Sequence, residues 1–533
     1  MTKKELLILI ILLALGATLR LYRVDYFSLW DDEARTYITC AAENPRQVLR
    51  TILTLLTHNP PLDPLIRHAV MSLTEKNTFY FTLPSVFLSL AGIVLYFLLA
   101  RQLLGSQAAL IFAALMALHP MDISYAQTGR NYAILNVVVP LSFLLLRKAL
   151  HSNRFGAWIL YGLSLALCMY AHFLAVGIAL AQAVLFLQHQ WECARSGSSG
   201  RELRRAVWGY GAGGVLAVAL LLPWVQVLPS SNQALDFSQI RIDNLRMVAV
   251  VANNFAGGTY AAPLMLLLTL AGLLHCRKNA RKAGLLIIVV LVTGYVTSLL
   301  LTMRSFFHPR YVYCLLPFFL MLPACGTWML GTALTDRGTK PVRGLTPGRL
   351  AAAALVLLCC LQIPRLQEWY QTGWAVDGNW RAAVAHVEQQ RSRSDIIVVP
   401  YVCQSLFSTY SSLPVYGLQP YPLHWQYISP VKQVRRLYYL PPDIPAVEAS
   451  EFNARTGRTW YNINFNLRDD MANTAILDFL TGNNTPVIWL IWRNAELGAA
   501  KATRFFDLLQ QRYRREHSKQ FDKATVIKYA LKQ

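Results

Sequence analysis

Three consecutive carboxylates, Asp31, Asp32 and Glu33, follow directly after the apolar N-terminal segment of this chain. A carboxylate within hydrogen-bond reach of a hydroxyl can remove its proton and act as a general base. Adjacent carboxylates repel one another and gain nothing from lipid. The triplet is therefore either a solvated loop or a reactive group at a membrane surface, and the rest of the sequence must decide between these interpretations.

Four further segments contain residues that could bind an anionic substrate. Arginines such as Arg130 and Arg310 offer forked donors to a phosphate and stabilise charge that develops on a leaving phosphate. Each residue also has an ordinary role: the arginines could anchor at lipid head groups, and His172 could hydrogen-bond between helices. Polar residues without a function should be distributed over both faces of the membrane. A functional site is therefore favoured if these residues all fall on one face. The four segments are 59–62 (NPPL), 124–134 (SYAQTGRNYAI), 170–173 (YAHF) and 304–313 (RSFFHPRYVY).

The composition indicates how these residues are positioned. Hydrophobic residues make up 55% of the chain and charged residues 15%, and apolar runs recur to about residue 363. A bilayer core of roughly 30 Å requires about 20 mostly apolar residues per helix, so the sequence predicts a polytopic α-helical membrane protein. The first run has no small-residue cleavage site, which indicates a retained helix rather than a signal peptide. We predict spans near 5–22, 81–100, 107–121, 132–147, 157–171, 173–190, 207–228, 260–275, 284–303, 311–333 and 350–364.

The net charge of +22 would suit a nucleic-acid-binding protein, but its distribution argues against that partner. Much of the excess lies in short loops between apolar runs, which is the pattern of cytoplasmic loops. The basic charge therefore reports membrane topology. The clearest groups are Arg147, Lys148 and Arg154; Arg195, Arg201, Arg204 and Arg205; Arg277, Lys278, Arg281 and Lys282; and Arg337, Lys340, Arg343 and Arg349.

The same loops fix the sidedness of the chain. Residues 158–190 contain no Lys, Arg, Asp or Glu and are flanked by basic loops, so they must cross the membrane twice, and we predict an outward-facing break at 170–173. Eleven spans with a cytoplasmic N-terminus place the C-terminus, the carboxylate triplet and the four polar segments outside. Of the nine cysteines, only Cys40 and Cys403 fall in exterior segments, and we expect neither a zinc site nor a bridge between them.

Two exterior regions accompany the spans. Residues 24–80 form the first exterior loop of a transmembrane catalytic domain, 1–364, and the amphipathic stretch 45–56 predicts a helix along the interface. Residues 365–533 are more polar and predict an extracytoplasmic α/β domain. Its expected elements are buried strands at 396–400 and 486–492 and amphipathic helices at 380–390 and 502–515.

In their order along the chain, these segments resemble motifs of the GT-C superfamily of membrane glycosyltransferases. The resemblance is to the bacterial branch related to protein O-mannosyltransferases (glycosyltransferase family 39) and to the aminoarabinose transferases of lipid A. The chain departs from the family pattern at Asn59, Asp63 and Thr128, where the family has histidine, tyrosine and glutamate. The matching motifs are Trp30-Asp31-Asp32-Glu33-Ala34, Asn59-Pro60-Pro61-Leu62, residues 125–133, Tyr170-Ala171-His172-Phe173, Pro309-Arg310-Tyr311 before Leu315-Leu316-Pro317, and Trp380-Arg381 followed by Asp395-Ile396-Ile397.

This resemblance implies a GT-C fold and an inverting transfer of one sugar from a polyprenyl-phosphate donor, with no metal and no cofactor. Asp32 is then the catalytic base, with Glu33 and Asp31 beside it, and Arg130 and Arg310 bind the donor phosphate. A monophosphate leaving group carries less charge than a diphosphate, so arginines can neutralise it, although three carboxylates could also hold a cation. Further substrate contacts would be His58, Asn59, Tyr132, His172, His308 and Tyr311.

The expected setting is a bacterial cytoplasmic membrane, with a glycan, lipid or protein as acceptor and membrane lipids as neighbours. Three alternatives stay open. A secondary transporter or lipid flippase would also have many spans, but transporters usually hold charges at mid-membrane and show internal repeats. A glycan polymerase or ligase would share the topology, and an inactive scaffold would have lost family positions, as this chain has.

Overall fold

The computed structural model describes residues 1–55, 60–225, 242–302, 308–335, 346–373, 378–400, 403–413, 415–421, 460–466, 485–494 and 504–532. By its contacts the chain divides into two compact units. The first comprises Met1–Val24, Asn59–Asp63 and Thr82–Gln371, and the second comprises Asp25–His58, Pro64–Phe81 and Thr372–Gln533.

The described helices are, in chain order, α1 (Lys3–Leu21), α2 (Asp31–Cys40), α3 (Pro45–Leu55), α4 (Leu62–Leu73), α5 (Thr78–Leu104), α6 (Ser106–Leu118), α7 (Pro120–Ala126), α8 (Tyr132–Ser152), α9 (Phe155–Ala171), α10 (Val176–Arg195), α11 (Gly200–Val225), α12 (Ile242–Phe255), α13 (Ala262–Asn279), α14 (Arg281–Thr302), α15 (Leu316–Thr335), α16 (Pro347–Thr372), α17 (Trp380–Gln390), α18 (Gln404–Tyr410) and α19 (Arg504–Arg512). Short 3₁₀ helices cover Phe173–Ala175 and Pro309–Leu315. The described strands are β1 (Ile396–Pro400), β2 (Val415–Tyr421), β3 (Trp460–Asn466), β4 (Val487–Arg493), β5 (Tyr513–Phe521) and β6 (Ala524–Leu531).

The first unit confirms the predicted helical membrane fold. Each of the eleven predicted spans overlaps a helix, as expected because a backbone in lipid must satisfy its own hydrogen bonds. Within the described residues, seven helices are long and apolar enough to cross a membrane, or eight if α6 and α7, which meet at 57°, form one span. The number eleven therefore stays a prediction. The predicted break at 170–173 is confirmed, because α9 ends at Ala171 and a 3₁₀ helix begins at Phe173.

Two glycines allow α13 and α15 to approach each other closely. A β-carbon built on Gly272 would lie 1.9 Å from the carbonyl oxygen of Leu322, and one on Gly326 would lie 1.8 Å from that of Leu268. Small residues at such crossings let helix backbones pack by van der Waals contact, which is a main source of helix association in membranes. Neither position can accept a side chain without separating the two helices.

We therefore expect Gly272→Ala to lower the free energy of unfolding by about 1–3 kcal/mol, the range for overpacking a close contact. Thermal unfolding of the purified protein in detergent would measure the effect. The matched control is Gly211→Ala in α11, where an added β-carbon meets nothing within 4 Å and should be neutral or slightly stabilising. Equal midpoints for the two variants would show that the α13–α15 crossing does not need glycine.

The second unit is built on one sheet with the strand order β3-β2-β1-β4-β6-β5. The pairs β1–β2, β2–β3 and β1–β4 are parallel, whereas β6 is antiparallel to both of its neighbours. Alternate residues of a strand point to opposite faces. Thus Val399 and Trp489 pack with α17 and α18 on one face, while Val398 and Leu490 pack with α19 on the other. This three-layer arrangement confirms the predicted α/β domain.

The helix with the carboxylate triplet, α2, belongs to the core of this second unit. Ala34, Tyr37 and Ile38 are buried in one cluster with residues of α17, α18 and the sheet. The sequence prediction groups residues 24–80 with the spans, whereas most of that segment makes its contacts with the C-terminal part of the chain. Cys40 and Cys403 both lie buried in this core.

The predicted helix over 502–515 is wrong at its end. The helix α19 ends at Arg512, and Tyr513–Phe521 form β5 at the edge of the sheet. The segment YRREHSKQF has no apolar alternation of its own. It becomes a strand because β6 pairs with it and because Tyr513 is buried in the core, where its hydroxyl donates to the carbonyl of Thr485 at 3.0 Å. Long-range pairing here overrides the local pattern.

Candidate functional site

The predicted phosphate-binding residues lie where helices of the first unit are interrupted. Arg130 lies in the turn between α7 and α8, His172 lies after α9, and Arg310 lies in the 3₁₀ helix Pro309–Leu315. All three side chains are partly buried. Each interruption thus places a polar side chain at the end of an apolar helix.

His172 interacts electrostatically with both arginines. The pKa of its imidazole is lowered to about 4, first by burial and then by the positive charges of Arg130 and Arg310. The two arginines therefore act on one histidine, although the three residues are far apart in sequence. His172 is consequently neutral at pH 7.

The hydrogen bonding of His172 fixes its tautomer. Its Nδ1 accepts from the backbone N–H of Leu174 at 3.1 Å, so the proton of the neutral ring must lie on Nε2. His172 therefore offers a donor without adding a charge. The Nδ1 of His308 accepts from the backbone N–H of Arg310 at 3.2 Å in the same way, and this bond fixes the start of the 3₁₀ helix that contains Arg310.

Aromatic rings complete this cluster. The Tyr132 ring lies 6.0 Å from that of His172. The Tyr311 hydroxyl accepts from Arg310 at 3.4 Å, and the Arg310 guanidinium carbon lies 5.2 Å from the Tyr311 ring centroid. The structure thus brings together six predicted residues, Arg130, Tyr132, His172, His308, Arg310 and Tyr311. Two guanidinium groups beside a neutral imidazole and two phenols are suited to binding a phosphate.

The three carboxylates, in the second unit, have different surroundings. Asp31 accepts two hydrogen bonds from Arg35, at 3.2 and 3.0 Å, and one from the Ser405 hydroxyl at 3.2 Å. Glu33 is 4% exposed and accepts from the backbone N–H of Trp30 at 3.2 Å, closing the first turn of α2. Asp32 is partly buried, and its backbone carbonyl accepts from the Thr36 hydroxyl at 2.8 Å.

These contacts give Asp31 and Glu33 clear structural roles. Negative charges in the first turn of a helix are favourable because they face the positive end of the helix dipole, so part of the triplet stabilises α2. The ordinary interpretation therefore fits Asp31 and Glu33. Asp32 also lies in the first turn of α2, and it is the carboxylate for which the sequence predicts proton transfer.

Two predicted contact residues, His58 and Asn59, lie outside the described residues. Asp63, which replaces a family tyrosine, is described: it is 1% exposed and lies in the first turn of α4. Across the described ranges, no three histidine, cysteine, aspartate or glutamate side chains are grouped so that they could hold a metal ion.

Sequence reasoning missed a charged network inside the first unit. Arg20 of α1 and Asp122 of α7 form an ion pair at 2.5 Å, and both side chains are 0% exposed. The signal was available, since ionisable residues within apolar helices are rare and point to a buried partner. Arg20 lies inside the span that the sequence predicts at 5–22.

Every oxygen of the Asp122 carboxylate is engaged. One oxygen accepts from Arg20 and from the Ser89 hydroxyl at 2.8 Å. The other accepts from the Asn136 amide at 2.8 Å and from the Tyr313 hydroxyl. Because Tyr313 lies in the 3₁₀ helix Pro309–Leu315, the network connects α1, α5, α7 and α8 to the helix that contains Arg310.

Residues 58–226, which include Arg130 and His172, match the family model described as dolichyl-phosphate-mannose-protein mannosyltransferase. No curated protein sequence matches the chain. The chain is a multi-pass membrane protein with the GT-C fold.

The solved structures to which it is similar include ArnT from Cupriavidus metallidurans bound to undecaprenyl phosphate, with a TM-score of 0.58, 13% identity and coverage of 97% of both chains. ArnT in the apo state gives a TM-score of 0.56 at 11% identity, again over 97% of both chains. The Archaeoglobus fulgidus oligosaccharyltransferase in complex with zinc and sulfate gives 0.51 at 11% identity, over 95% of this chain and 71% of that one. These similarities show a shared fold, in agreement with the fold that the resemblance implies.

Proposed function

We propose that this protein is an inverting glycosyltransferase that moves a single sugar from a polyprenyl-phosphate donor to a glycan, lipid or protein acceptor. Asp32 takes the proton of the acceptor hydroxyl, whose oxygen bonds to the anomeric carbon as the bond from that carbon to the phosphate oxygen breaks. Arg130 and Arg310 stabilise the polyprenyl phosphate that leaves. The reaction takes place at the outer face of a bacterial cytoplasmic membrane, with the N-terminus in the cytoplasm.

The observation that supports this proposal is the cluster formed by Tyr132 with His172 and by His308 with Arg310 and Tyr311, in which the charges of Arg130 and Arg310 both act on His172. A sugar-bearing polyprenyl phosphate is a diester with one negative charge, and the leaving group becomes a monoester that gains a second. Two guanidinium groups therefore interact more strongly with the charge that develops on the phosphate in the transition state than with the intact donor, which is the condition for catalysis. The undecaprenyl phosphate in one ArnT structure agrees with this class of donor.

A secondary transporter or flippase is the second candidate, and the buried Arg20–Asp122 pair is the observation that favours it. Transporters hold ionisable residues inside the membrane along the substrate path. Here, however, both oxygens of Asp122 are occupied by groups from other helices. A carboxylate whose oxygens are all hydrogen-bonded in this way is better suited to holding helices together than to binding a transported substrate or proton.

The proposal is tested by offering purified protein in nanodiscs a panel of polyprenyl-phosphate monosaccharides, with an extract of membrane lipids and glycans as acceptors. We expect transfer from a monophosphate donor and none from the matching diphosphate donor, and we expect it to survive a chelator. Loss of transfer on chelation, restored by a divalent cation, would contradict the metal-free mechanism. A folded protein that transfers from no donor, but moves the donor lipid between leaflets of a vesicle, would establish the transporter instead.

Removing either arginine should weaken use of the donor. We expect Arg130→Ala and Arg310→Ala each to lower kcat/KM for the donor by about 10- to 100-fold, the value of a hydrogen bond to a charged group. Lysine variants should recover part of this loss, because lysine keeps the charge without the fork. The matched control is Arg101→Ala, which removes an arginine paired at 3.8 Å with Glu5 in the same unit. An equal loss in this control would point to a general defect.

A further inference from the structure

We propose that Arg381, at the start of α17, is a positioning residue: it holds the chain segment 25–30 and thereby sets the position of Asp32. The C-terminal part of the chain then contributes to the reaction. This inference rests on the proposed function. It assigns a role to the α/β unit and to Arg381, a motif residue for which the proposed catalytic and phosphate-binding residues do not account.

The segment 25–30 is a connection without regular secondary structure. It lies between the end of α1 and the start of α2, and it forms no helix or strand. Without regular hydrogen bonds, the position of such a segment depends on what its residues contact elsewhere. The location of Asp32, two residues further on, depends on those contacts in turn.

Arg381 provides the first of these contacts. Its Nη1 donates to the carbonyl of Asp25 at 2.9 Å, and its Nη2 donates to the Asp25 carboxylate at 2.9 Å and to the Thr78 hydroxyl at 3.1 Å. Its backbone N–H donates to the Ser28 hydroxyl at 3.1 Å. Arg381 thus holds the segment at Asp25 with its side chain and at Ser28 with its backbone. The side-chain contact uses the planar, forked arrangement of donors that only arginine provides.

Neighbouring residues of the same unit extend this attachment up to the reactive turn. The Ser28 hydroxyl donates to the Asn379 side chain at 3.3 Å, and the backbone N–H of Leu29 donates to the Tyr410 hydroxyl at 2.7 Å. The Arg381 guanidinium carbon lies 5.5 Å from the Tyr410 ring centroid. The Ser405 hydroxyl of α18 donates to the Asp31 carboxylate. Residues of α17 and α18 therefore contact the chain both before and after Trp30.

The solvent exposure of the Arg381–Asp25 ion pair indicates that the pair positions the chain more than it stabilises the fold. The Arg381 and Asp25 side chains are 39% and 31% exposed, and ion pairs so accessible to water contribute little to folding. A displacement of a reacting group by about 1 Å, in contrast, can slow a reaction by roughly 100-fold. Loss of Arg381 should therefore affect the rate much more than the fold.

The test compares wild type, Arg381→Ala and Arg381→Lys. For Arg381→Ala we expect kcat to fall by about 10- to 100-fold, with an unchanged KM for the donor, because the proposed donor-binding arginines are elsewhere. The kcat of Arg381→Lys should lie between those of wild type and Arg381→Ala, since lysine keeps the positive charge but lacks the forked pair of donors. In hydrogen exchange, amides of 25–36 should exchange faster in Arg381→Ala while those of β1 and β4 keep their protection. Arg514→Ala is the matched control: an arginine of the same unit, 3.8 Å from Glu516 and 76% exposed.

Three outcomes would overturn the inference. Wild-type rates in Arg381→Ala would show that Asp32 does not depend on this attachment. Lost protection in β1 and β4 would show a folding defect in place of a positioning effect. A wild-type protein that transfers no sugar would instead refute the proposed function, and the role of Arg381 with it, which separates that failure from the first two.

Discussion

Changing Asp32 to asparagine is expected to slow sugar transfer by about 10²- to 10⁴-fold, the contribution of a general base. Asparagine keeps the shape of the side chain but cannot accept the proton of the acceptor. The comparison variants are Asp31→Asn and Glu33→Gln, for which we expect smaller losses. Single-turnover transfer with a saturating donor would measure all three, because it reports the chemical step without product release.

The contacts of the three carboxylates explain the difference expected between the variants. Asp31→Asn weakens a partly exposed pair with Arg35, whose side chain is 32% exposed, and such pairs contribute about 0–1 kcal/mol. Glu33→Gln retains a carbonyl oxygen that can still accept from the backbone of Trp30. If either of these variants lost as much activity as we expect for Asp32→Asn, and Asp32→Asn remained active, the base would be reassigned.

Changing Asp122 to asparagine is expected to lower the free energy of unfolding by about 3–5 kcal/mol, because removing one partner of a buried ion pair leaves the other charge without compensation. The uncompensated charge would be that of Arg20, which also donates to the carbonyls of Gly16, Ala117 and Met116. Those three dipoles reduce the penalty but do not replace a carboxylate. Thermal or denaturant unfolding in detergent would measure the change.

The matched control for this prediction is the double variant Arg20→Gln with Asp122→Asn. Two neutral amides can hydrogen-bond to one another, so the double variant should lose clearly less than the sum of the two single variants. A sum that is additive to within about 0.5 kcal/mol would show that the pair is not coupled. Reduced transfer in Asp122→Asn would further be expected, since Tyr313 joins this network to the 3₁₀ helix that contains Arg310.

Much of the fold could be predicted because its determinants are local. An apolar run of sufficient length forms a helix in lipid wherever it occurs, and the basic loops on both sides of the uncharged segment 158–190 predicted the interruption that the structure shows there. Strands such as β1 and β4 are short apolar runs bounded by polar residues and could be recognised in the same way. The local sequence pattern gave a wrong prediction at Tyr513. There α19 ends and β5 begins, and this strand forms because it pairs with β6.

The membrane class, the helical segments, the α/β character of the C-terminal region and the residue types able to act on a phosphate could all be predicted from the amino-acid sequence. Three features became visible in the folded chain alone: the structural roles of Asp31 and Glu33, the pairing of Arg20 with Asp122, and the attachment of the segment before α2 to α17 by Arg381. The reason is physical: hydropathy and periodicity depend on neighbours along the chain, whereas Arg20 and Asp122 are 102 residues apart and Asp25 and Arg381 are 356 residues apart. Contacts over such separations leave no pattern in the intervening sequence, and they form only when packing brings the elements together.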